Sequence, residues 1–277
     1  MRSSLGAKIG EGASADIHVW APGQILKLFK VGVSPRLGRH EARMTRAAFA
    51  AGAPEVFDEV TLEGRFGIVL QRLDGPTLQH LLQTRAVTFE QVGAILATLY
   101  ISVHKTPPPP DVPSLRRWIE AVSQTSRDML PEHIAAGVLT LIDRLPPDDG
   151  LCHSDLHPGN VIMAADGPRI IDWACALRAS AMFDIARVHI SLSELVREDA
   201  DPEPPRIINA TVQSEYARLT GMSPAALTES MQPYLPILRA FVLLQRRPAT
   251  PAQRKQLIQR VEATLRSEDW FSDATSL

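Results

Sequence analysis

The sequence predicts an α+β protein, with a small β-rich part ahead of a larger, mainly helical part. Three observations carry this reading. Residues 1–72 hold short runs of β-forming residues separated by turn residues. From residue 73 onward apolar residues recur at helical spacing, with one β interlude around residues 160–172. The 277 residues are 45 % apolar and 22 % charged, the composition of a globular chain long enough to bury a core without staples.

In the first part, residues 17–20 and 24–30 read as strands around the turn Ala21-Pro22-Gly23. Residues 56–62 and 66–71 read as a hairpin around Glu63-Gly64-Arg65. Between the pairs, residues 35–51 carry Leu37, Met44, Ala48 and Ala51 at helical spacing, and Glu41 falls on the same inward face. In the second part, Thr88 with Gln91 forms a capping box that opens a helix with Phe89, Val92, Leu96, Leu99 and Val103 on one face. Ser114 can cap a helix carrying Leu115, Trp118, Ile119 and Val122. Pro131 suits the first turn of the next, with Ile134, Val138, Leu141, Ile142 and Leu145 inward. Three or four further helices fill residues 182–270. The β interlude pairs residues 160–163 with 169–172 about Ala165-Asp166-Gly167. The boundary falls at Leu73-Asp74-Gly75, giving lobes 1–72 and 73–277. The four prolines of residues 107–110 form a stiff connector.

Charge and cysteine usage narrow the functional classes. Lys plus Arg number 29 and Asp plus Glu 31, a net charge of −2. Such balance argues against nucleic acid or an anionic membrane as partner, since both call for a basic stripe. The first eight residues lack an apolar signal region, and no run approaches about 18 uninterrupted apolar residues, so no membrane span is expected. Cys152 and Cys175 form no C-x-x-C pair, which suits a reducing cytoplasm.

The chemistry concentrates in His153-Ser154-Asp155-Leu156-His157-Pro158-Gly159-Asn160, followed by Ile171-Asp172-Trp173. Asp155 and Asn160 are separated by a Pro-Gly turn, so a loop connects them, and a short hairpin returns Asp172 beside Asn160. Oxygen ligands from Asn160 and Asp172 suit Mg²⁺. Asp155 remains as a carboxylate able to orient a hydroxyl and accept its proton. A zinc site would need more ligands at suitable spacing than Cys152 and Cys175 supply.

This spacing resembles the catalytic and metal loops of protein-kinase-like enzymes, and its fuller form looks like the aminoglycoside phosphotransferase and choline kinase family. The resemblance implies a two-lobed protein-kinase-like fold, a small β-rich lobe with one helix and a larger helical lobe. It also implies ATP or GTP with Mg²⁺, and a small-molecule hydroxyl acceptor. Upstream, Gly10, Gly12 and Ser14 lie in a glycine-rich turn. Strand residues 17–20 follow it, where a dinucleotide fold needs a helix, so the turn suits a flap over phosphates. Lys27 interrupts an apolar strand and needs a partner. Alternation puts Ile25 on its face, where it could touch adenine, and Lys30 on the other. By resemblance Lys27 binds phosphate, and Glu41 is the partner expected for it. Gln71 and Leu73 occupy the hinge, where main-chain groups would meet the adenine edge. Asp184 matches a structural aspartate, and His153 and His157 are read as braces of the loop.

Asp184 follows Asp172 by only twelve positions, too few for the segment that holds a polypeptide in protein kinases. The expected acceptor is therefore small: an aminoglycoside-type antibiotic, an amino alcohol or a sugar metabolite. Glu194, Glu198, Asp199, Asp201 and Glu203 form an acidic cluster read as a solvated loop, and residues 178–277 hold twelve acids and twelve bases. Glu268-Asp269-Trp270-Phe271 faintly resembles the acidic-aromatic end of aminoglycoside kinases. Tyr216, Tyr234 and Trp270 are candidates for an aromatic wall or for the core. The alternative to an enzyme is a catalytically inactive kinase-like nucleotide-binding module.

Overall fold

The computed structural model describes residues 5–125, 130–145, 150–196, 200–244 and 250–266. Within them the chain is mixed α+β, and its contacts divide it into two compact units. The first holds the residues through Thr88 together with Pro109–Val112 and Asp155–Ala176. The second holds Phe89–Pro108, Pro113–Ser154 and the residues from Leu177 on.

The first unit is built on an antiparallel sheet of β1 (Lys8–Glu11), β2 (Ala15–Ala21), β3 (Gln24–Phe29), β4 (Val56–Leu62) and β5 (Arg65–Gln71), in the order β1-β2-β3-β5-β4. Strand alternation splits β3 as the sequence predicts. Leu26 and Leu28 pack on one face with Val69, Trp20 and Val60. Ile25 and Phe29 join Ala15, Phe66, Ile68, Leu70 and Ala42 on the other. Helix α1 (Pro35–Ala47) is capped by the Ser34 hydroxyl, which accepts from the Arg36 N–H at 3.3 Å, and starts with proline, whose missing N–H is harmless there.

The inward face of α1 keeps the predicted Glu41 and Met44, and Ala48 just past its end, but Gly38 takes the place expected for Leu37. Leu37 is 61 % exposed, while Gly38, Glu41, Ala42, Met44 and Thr45 are buried. The reason is space. A Cβ on Gly38 would lie 2.2 Å from Cδ1 of Phe66 and 2.9 Å from Cε2 of Phe29, so only a glycine lets the helix come this close.

A short helix α2 (Leu78–Gln83) and the hairpin β7 (Val161–Ala164) with β8 (Gly167–Ile170) complete this unit. The hairpin is shorter than expected. Asn160 closes a 3₁₀ turn before β7, and Asp172 lies two residues beyond β8 rather than ending a strand.

In the second unit, α3 (Phe89–His104), α4 (Leu115–Thr125) and α5 (Glu132–Ile142) precede β6 (Gly150–Cys152), which pairs with β9 (Leu177–Ala179). The Ser114 hydroxyl accepts from the Arg117 N–H at 3.2 Å, as its predicted capping role requires. Then follow α6 (Ala181–Ser193), α7 (Glu203–Thr220), α8 (Pro224–Met231), α9 (Tyr234–Leu244) and α10 (Pro251–Arg266). These are five helices among the described residues, where three or four were expected. Only Gln232 and Pro233 separate α8 from α9, so their apolar patterns merge in the sequence. Helix α9 is buried along its length except at Arg239. Its Phe241 stacks on Trp118 with ring centroids 4.2 Å apart. Tyr216 and Tyr234 are core residues, each 4 % exposed. Glu198, Asp199 and residues 268–271 lie outside the described residues. Among the described residues no helix is long and apolar enough to cross a membrane.

Asp201 and Glu203 are exposed as the solvated-loop reading expects, but Glu194 departs from it. Its carboxylate accepts from Arg239 Nη2 at 2.8 Å and Nε at 3.0 Å and meets Arg260 Nη1 at 2.9 Å, with its side chain 10 % exposed. Burial opposes the charge, but the two guanidinium groups hold the carboxyl below its ordinary value of 4.5.

Packing at Gly38 and charge at Glu194 can each be tested by substitution. In Gly38→Ala, a gain in helix propensity of about 1 kcal/mol opposes an overpacking penalty of about 1–3 kcal/mol. The clash at 2.2 Å favours the penalty, so urea unfolding should register a net loss of stability; a gain would contradict the packing argument. A depressed carboxyl stabilises above its unfolded pKa and loses that contribution as pH falls through the folded one. Glu194→Gln should therefore destabilise at pH 7 by the low end of roughly 3–5 kcal/mol, since Arg260 is half exposed. The gap from wild type should shrink below pH 4.5, and a gap that stayed constant on acidification would refute the assignment.

Candidate active site

Lys27 is the centre of the first unit's polar cluster. It lies on the α1 face of β3 with Ile25 and Phe29, its Nζ 5.9 Å from the Phe29 ring centre and its side chain only 14 % exposed. An ammonium this deep requires a counter-charge. Glu41 of α1, with its side chain 7 % exposed, accepts from Lys27 in a direct ion pair. Asp172 Oδ1 lies 3.7 Å away from the same ammonium, on a side chain 44 % exposed. Burial works against the lysine's charge, but the two carboxylates together hold its pKa above 10.5. Burial also pushes the Glu41 carboxyl up, against the pull of Lys27.

The loop that follows β6 is held by its own polar groups. Asn160 Nδ2 donates to the Asp155 carbonyl at 3.0 Å, which leaves the amide oxygen at the opposite end of that group. His157 caps the 3₁₀ turn, its Nδ1 accepting from the Gly159 N–H at 3.1 Å. A Cβ on Gly159 would come within 2.8 Å of Cε1 of the same His157 ring that holds the Gly159 N–H, which favours glycine there. The Ile171 N–H donates to the Asn160 carbonyl at 2.9 Å and brings the chain back beside Asn160. Asp172 then adopts a left-handed conformation, φ 63°, and Trp173 is fully buried with its indole N–H 3.2 Å from the Ile170 carbonyl. Ser154, beside Asp155, is the other left-handed residue here, φ 61°. For a buried serine this conformation costs about 1–2 kcal/mol and must be held by its surroundings.

That support comes from the second unit, to which Ser154 belongs. Asp184, fully buried in α6, accepts from the His153 N–H on Oδ2 and the Ser154 N–H on Oδ1, both at 2.8 Å. Arg187 Nε donates to the Ser154 carbonyl at 3.2 Å. Behind the carboxylate, His104 Nε2 lies 3.3 Å from Asp184 Oδ2, and His104 Nδ1 lies 2.9 Å from the Tyr216 hydroxyl. Burial, with Asp184 and Cys152 adding to it, pushes the Tyr216 phenol well up, so it stays protonated. The Asp184 carboxylate accepts, so the Nε2 that faces it carries a hydrogen. His104, Cys152 and Asp184 present donor atoms within 4.8 Å of one another. The thiol already donates to the Ser180 carbonyl at 3.4 Å, and Asp184 already accepts from three groups, so this cluster is hydrogen-bonded structure. The structural reading of Asp184 agrees with the sequence; His104 and Arg187 were missed. The signal for His104 was its spacing of four from Tyr100 and eight from Leu96, which puts an imidazole on a buried stripe.

The remaining predicted residues lie on the first unit's sheet. The Gly12 N–H donates to the Ala15 carbonyl at 2.8 Å and closes the glycine turn, with Ser14 exposed and its carbonyl accepting from the Lys30 N–H at 2.8 Å. Lys30 itself pairs with Glu11 at 2.8 Å, away from Lys27's partners. A Cβ on Gly10 or Gly12 would make only ordinary contacts at 3.5 Å. The Gln71 N–H donates to the Glu55 carbonyl at 2.8 Å, and Leu73 is half-buried two residues past β5.

Comparison with known proteins accords with this geometry. Residues 6–222 match the model of the phosphotransferase enzyme family. A thermostable mutant of aminoglycoside phosphotransferase APH(4)-Ia, solved in ternary complex with ADP and hygromycin B, is similar in fold. It has a TM-score of 0.59 and 17 % identity, covering 96 % of this chain and 94 % of that one. A choline/ethanolamine kinase family protein from Mesorhizobium loti is similar at TM-score 0.55 and 15 % identity, over 99 % of this chain and 91 % of that one. The Plasmodium vivax ethanolamine kinase is similar at TM-score 0.59 and 12 % identity, over 95 % and 82 %. The α+β fold of this chain is thus the kinase-like fold of these proteins. Comparison with curated protein sequences gives no match.

Asp184→Asn turns one acceptor oxygen into a donor facing a backbone N–H. It should lower the unfolding free energy by about 2–3 kcal/mol, read by denaturant titration. A D184N protein as stable as wild type would show that the clamp on residues 153 and 154 contributes nothing.

Proposed function

The chain is an enzyme of the phosphotransferase family, and from that premise we propose that it transfers the γ-phosphate of ATP to a hydroxyl of a small molecule. The observation that carries this reading is the meeting of Lys27, Glu41 and Asp172 in one cluster, with Asn160 and Asp155 on the loop that leads into it. Glu41 orients Lys27 toward the α- and β-phosphates. The Asn160 amide oxygen and the half-exposed Asp172 carboxylate are hard oxygen donors of the kind Mg²⁺ takes, and the Asn160 nitrogen is already engaged by the loop. When bound, the metal supplies neutralisation of phosphate charge. Asp155 orients the acceptor hydroxyl and takes its proton, so that positioning and electrostatics carry the rate.

Gly10, Gly12 and Ser14 form the phosphate flap. Neither glycine is required by a close contact or a positive φ within the protein, which supports a role for the space they leave beside the backbone. Ile25 lies against the adenine. The N–H of Gln71 is engaged by Glu55, so hydrogen bonding to the base edge falls to the Leu73 main chain and the carbonyl of Gln71. Residues 1–72 act as the nucleotide-binding lobe and 73–277 as the catalytic and acceptor lobe. GTP is the alternative donor, since its phosphates are alike. The acceptor is an aminoglycoside-type antibiotic, an amino alcohol or a sugar metabolite, and the solved neighbour bound to ADP and hygromycin B supports a nucleotide and a small acceptor. Cys152 and Cys175, which form no disulfide, support a cytoplasmic setting.

An ADP-release screen across aminoglycosides, macrolides, amino alcohols, sugars and nucleosides should find the acceptor. Asp155→Ala should then lower turnover by at least about 10³-fold while AMP-PNP still binds, the loss of a positioned base and its orientation. Asp172→Ala should lose the Mg²⁺-dependent part of nucleotide affinity. Undiminished turnover in Asp155→Ala would overturn the catalytic assignment, and nucleotide binding without ADP release for every acceptor would favour the inactive module.

A further inference from the structure

We infer that His40 is a positioning residue for Asp172: it ties helix α1 to the turn after β8, an inference that rests on the metal-binding role proposed for Asp172. His40 Nε2 lies 3.0 Å from the Ala174 carbonyl oxygen. A carbonyl only accepts, so Nε2 carries the hydrogen. Nδ1 lies 3.3 Å from Arg43 Nη2. A guanidinium only donates, so Nδ1 presents its lone pair. Both bonds together require the neutral Nε2–H imidazole. Burial and the neighbouring Arg43 lower the pKa of the ring, against the Ala174 bond, and keep it in that form.

The placement of the two ends gives the bond its consequence. His40 immediately precedes Glu41, and Ala174 is two residues after Asp172. The two carboxylates that flank Lys27 therefore lie on segments joined by this side chain. Asp172 itself is weakly held. Its side chain is 44 % exposed, and 3.7 Å to Lys27 Nζ is longer than a hydrogen bond. Its place is set by backbone, through a left-handed residue followed by a closed turn in which the Ala176 N–H donates to the Trp173 carbonyl at 3.0 Å. Trp173 anchors the turn from below, and His40 fixes the Ala174 peptide plane from the side of α1. Without that second anchor the turn keeps its buried tryptophan but can rotate the Asp172 carboxylate relative to Lys27.

The test uses the full chain and AMP-PNP, titrated by calorimetry with and without Mg²⁺. Wild type should bind more tightly with Mg²⁺. His40→Ala should lose about tenfold of that gain, with metal-free affinity unchanged within about twofold. His40→Gln, whose amide N–H₂ can reach the same carbonyl, should restore most of it. Hydrogen exchange of the Ala176 amide in nucleotide-free protein should quicken about tenfold in His40→Ala and return toward wild type in His40→Gln. Wild-type Mg²⁺ dependence in His40→Ala, when Asp172→Ala has lost it, overturns the inference and leaves the role of Asp172 standing. Equal loss in His40→Ala and His40→Gln also overturns it, since general loosening then explains the effect. Wild type indifferent to Mg²⁺ overturns the proposed role of Asp172 and the inference with it.

Discussion

A buried ammonium organises this protein. Lys27 interrupts a strand whose neighbours in sequence are Leu26 and Leu28, both fully buried. A charge in that place is tolerable only beside a carboxylate, and a strand cannot supply one to its own face from an adjacent residue. The carboxylate must come from another element. Glu41 comes from α1, and α1 approaches closely enough because Gly38 offers no side chain to Phe29 and Phe66. Asp172 comes from the turn after β8, in a conformation that most residues avoid. Helix, glycine and strained turn are separate features of the chain, and the demand of one lysine accounts for all three.

The site was largely legible because its parts are short in sequence or follow a simple period. Lys27 and Ile25 share a face by alternation, and Asp155, Asn160 and Asp172 are grouped within eighteen residues. Glu41 was found with a partly wrong argument. Its inward position was inferred from Leu37, which the structure turns out to solvent, yet Met44 and Ala48 were placed correctly and sufficed to orient the helix. What escaped the sequence is long-range. Tyr216 meets His104 across 112 residues, and Glu194 meets Arg239 across 45. No local pattern encodes such pairs. The strands β6 and β9 escaped for another reason, since three residues cannot display a period of two.

The loop around Asp155 joins two kinds of support at a single peptide bond. Residues through Ser154 belong to the second compact unit, and those from Asp155 to the first. Up to that bond the backbone is gripped: Asp184 takes the N–H groups of His153 and Ser154, and Arg187 takes the Ser154 carbonyl. After it, the loop is braced by its own side chains, Asn160 on the Asp155 carbonyl and His157 on the Gly159 N–H. A left-handed serine stands at the junction. Engaging the backbone groups around it is what makes that conformation tolerable in a buried position. The network of Asp184, His104 and Tyr216 therefore acts on the backbone of His153 and Ser154, within the second unit.

Acceptor recognition is the part least accessible from composition, and Glu194 shows why. Residues 194–203 hold five acids, which the sequence alone groups as one solvated loop. The structure assigns the first of them to two arginines from α9 and α10, and Asp201 Oδ1 accepts the Glu203 N–H at 3.0 Å. A carboxylate already facing two guanidinium groups offers little field to an amine, so the local count of charges and the local potential part company. Phosphate and metal chemistry needs a few residues whose order in the chain is nearly fixed, and a sequence displays them. Side chains from helices far apart in the chain leave no such pattern, and there only the partners each group already has can say which charges remain to meet a ligand.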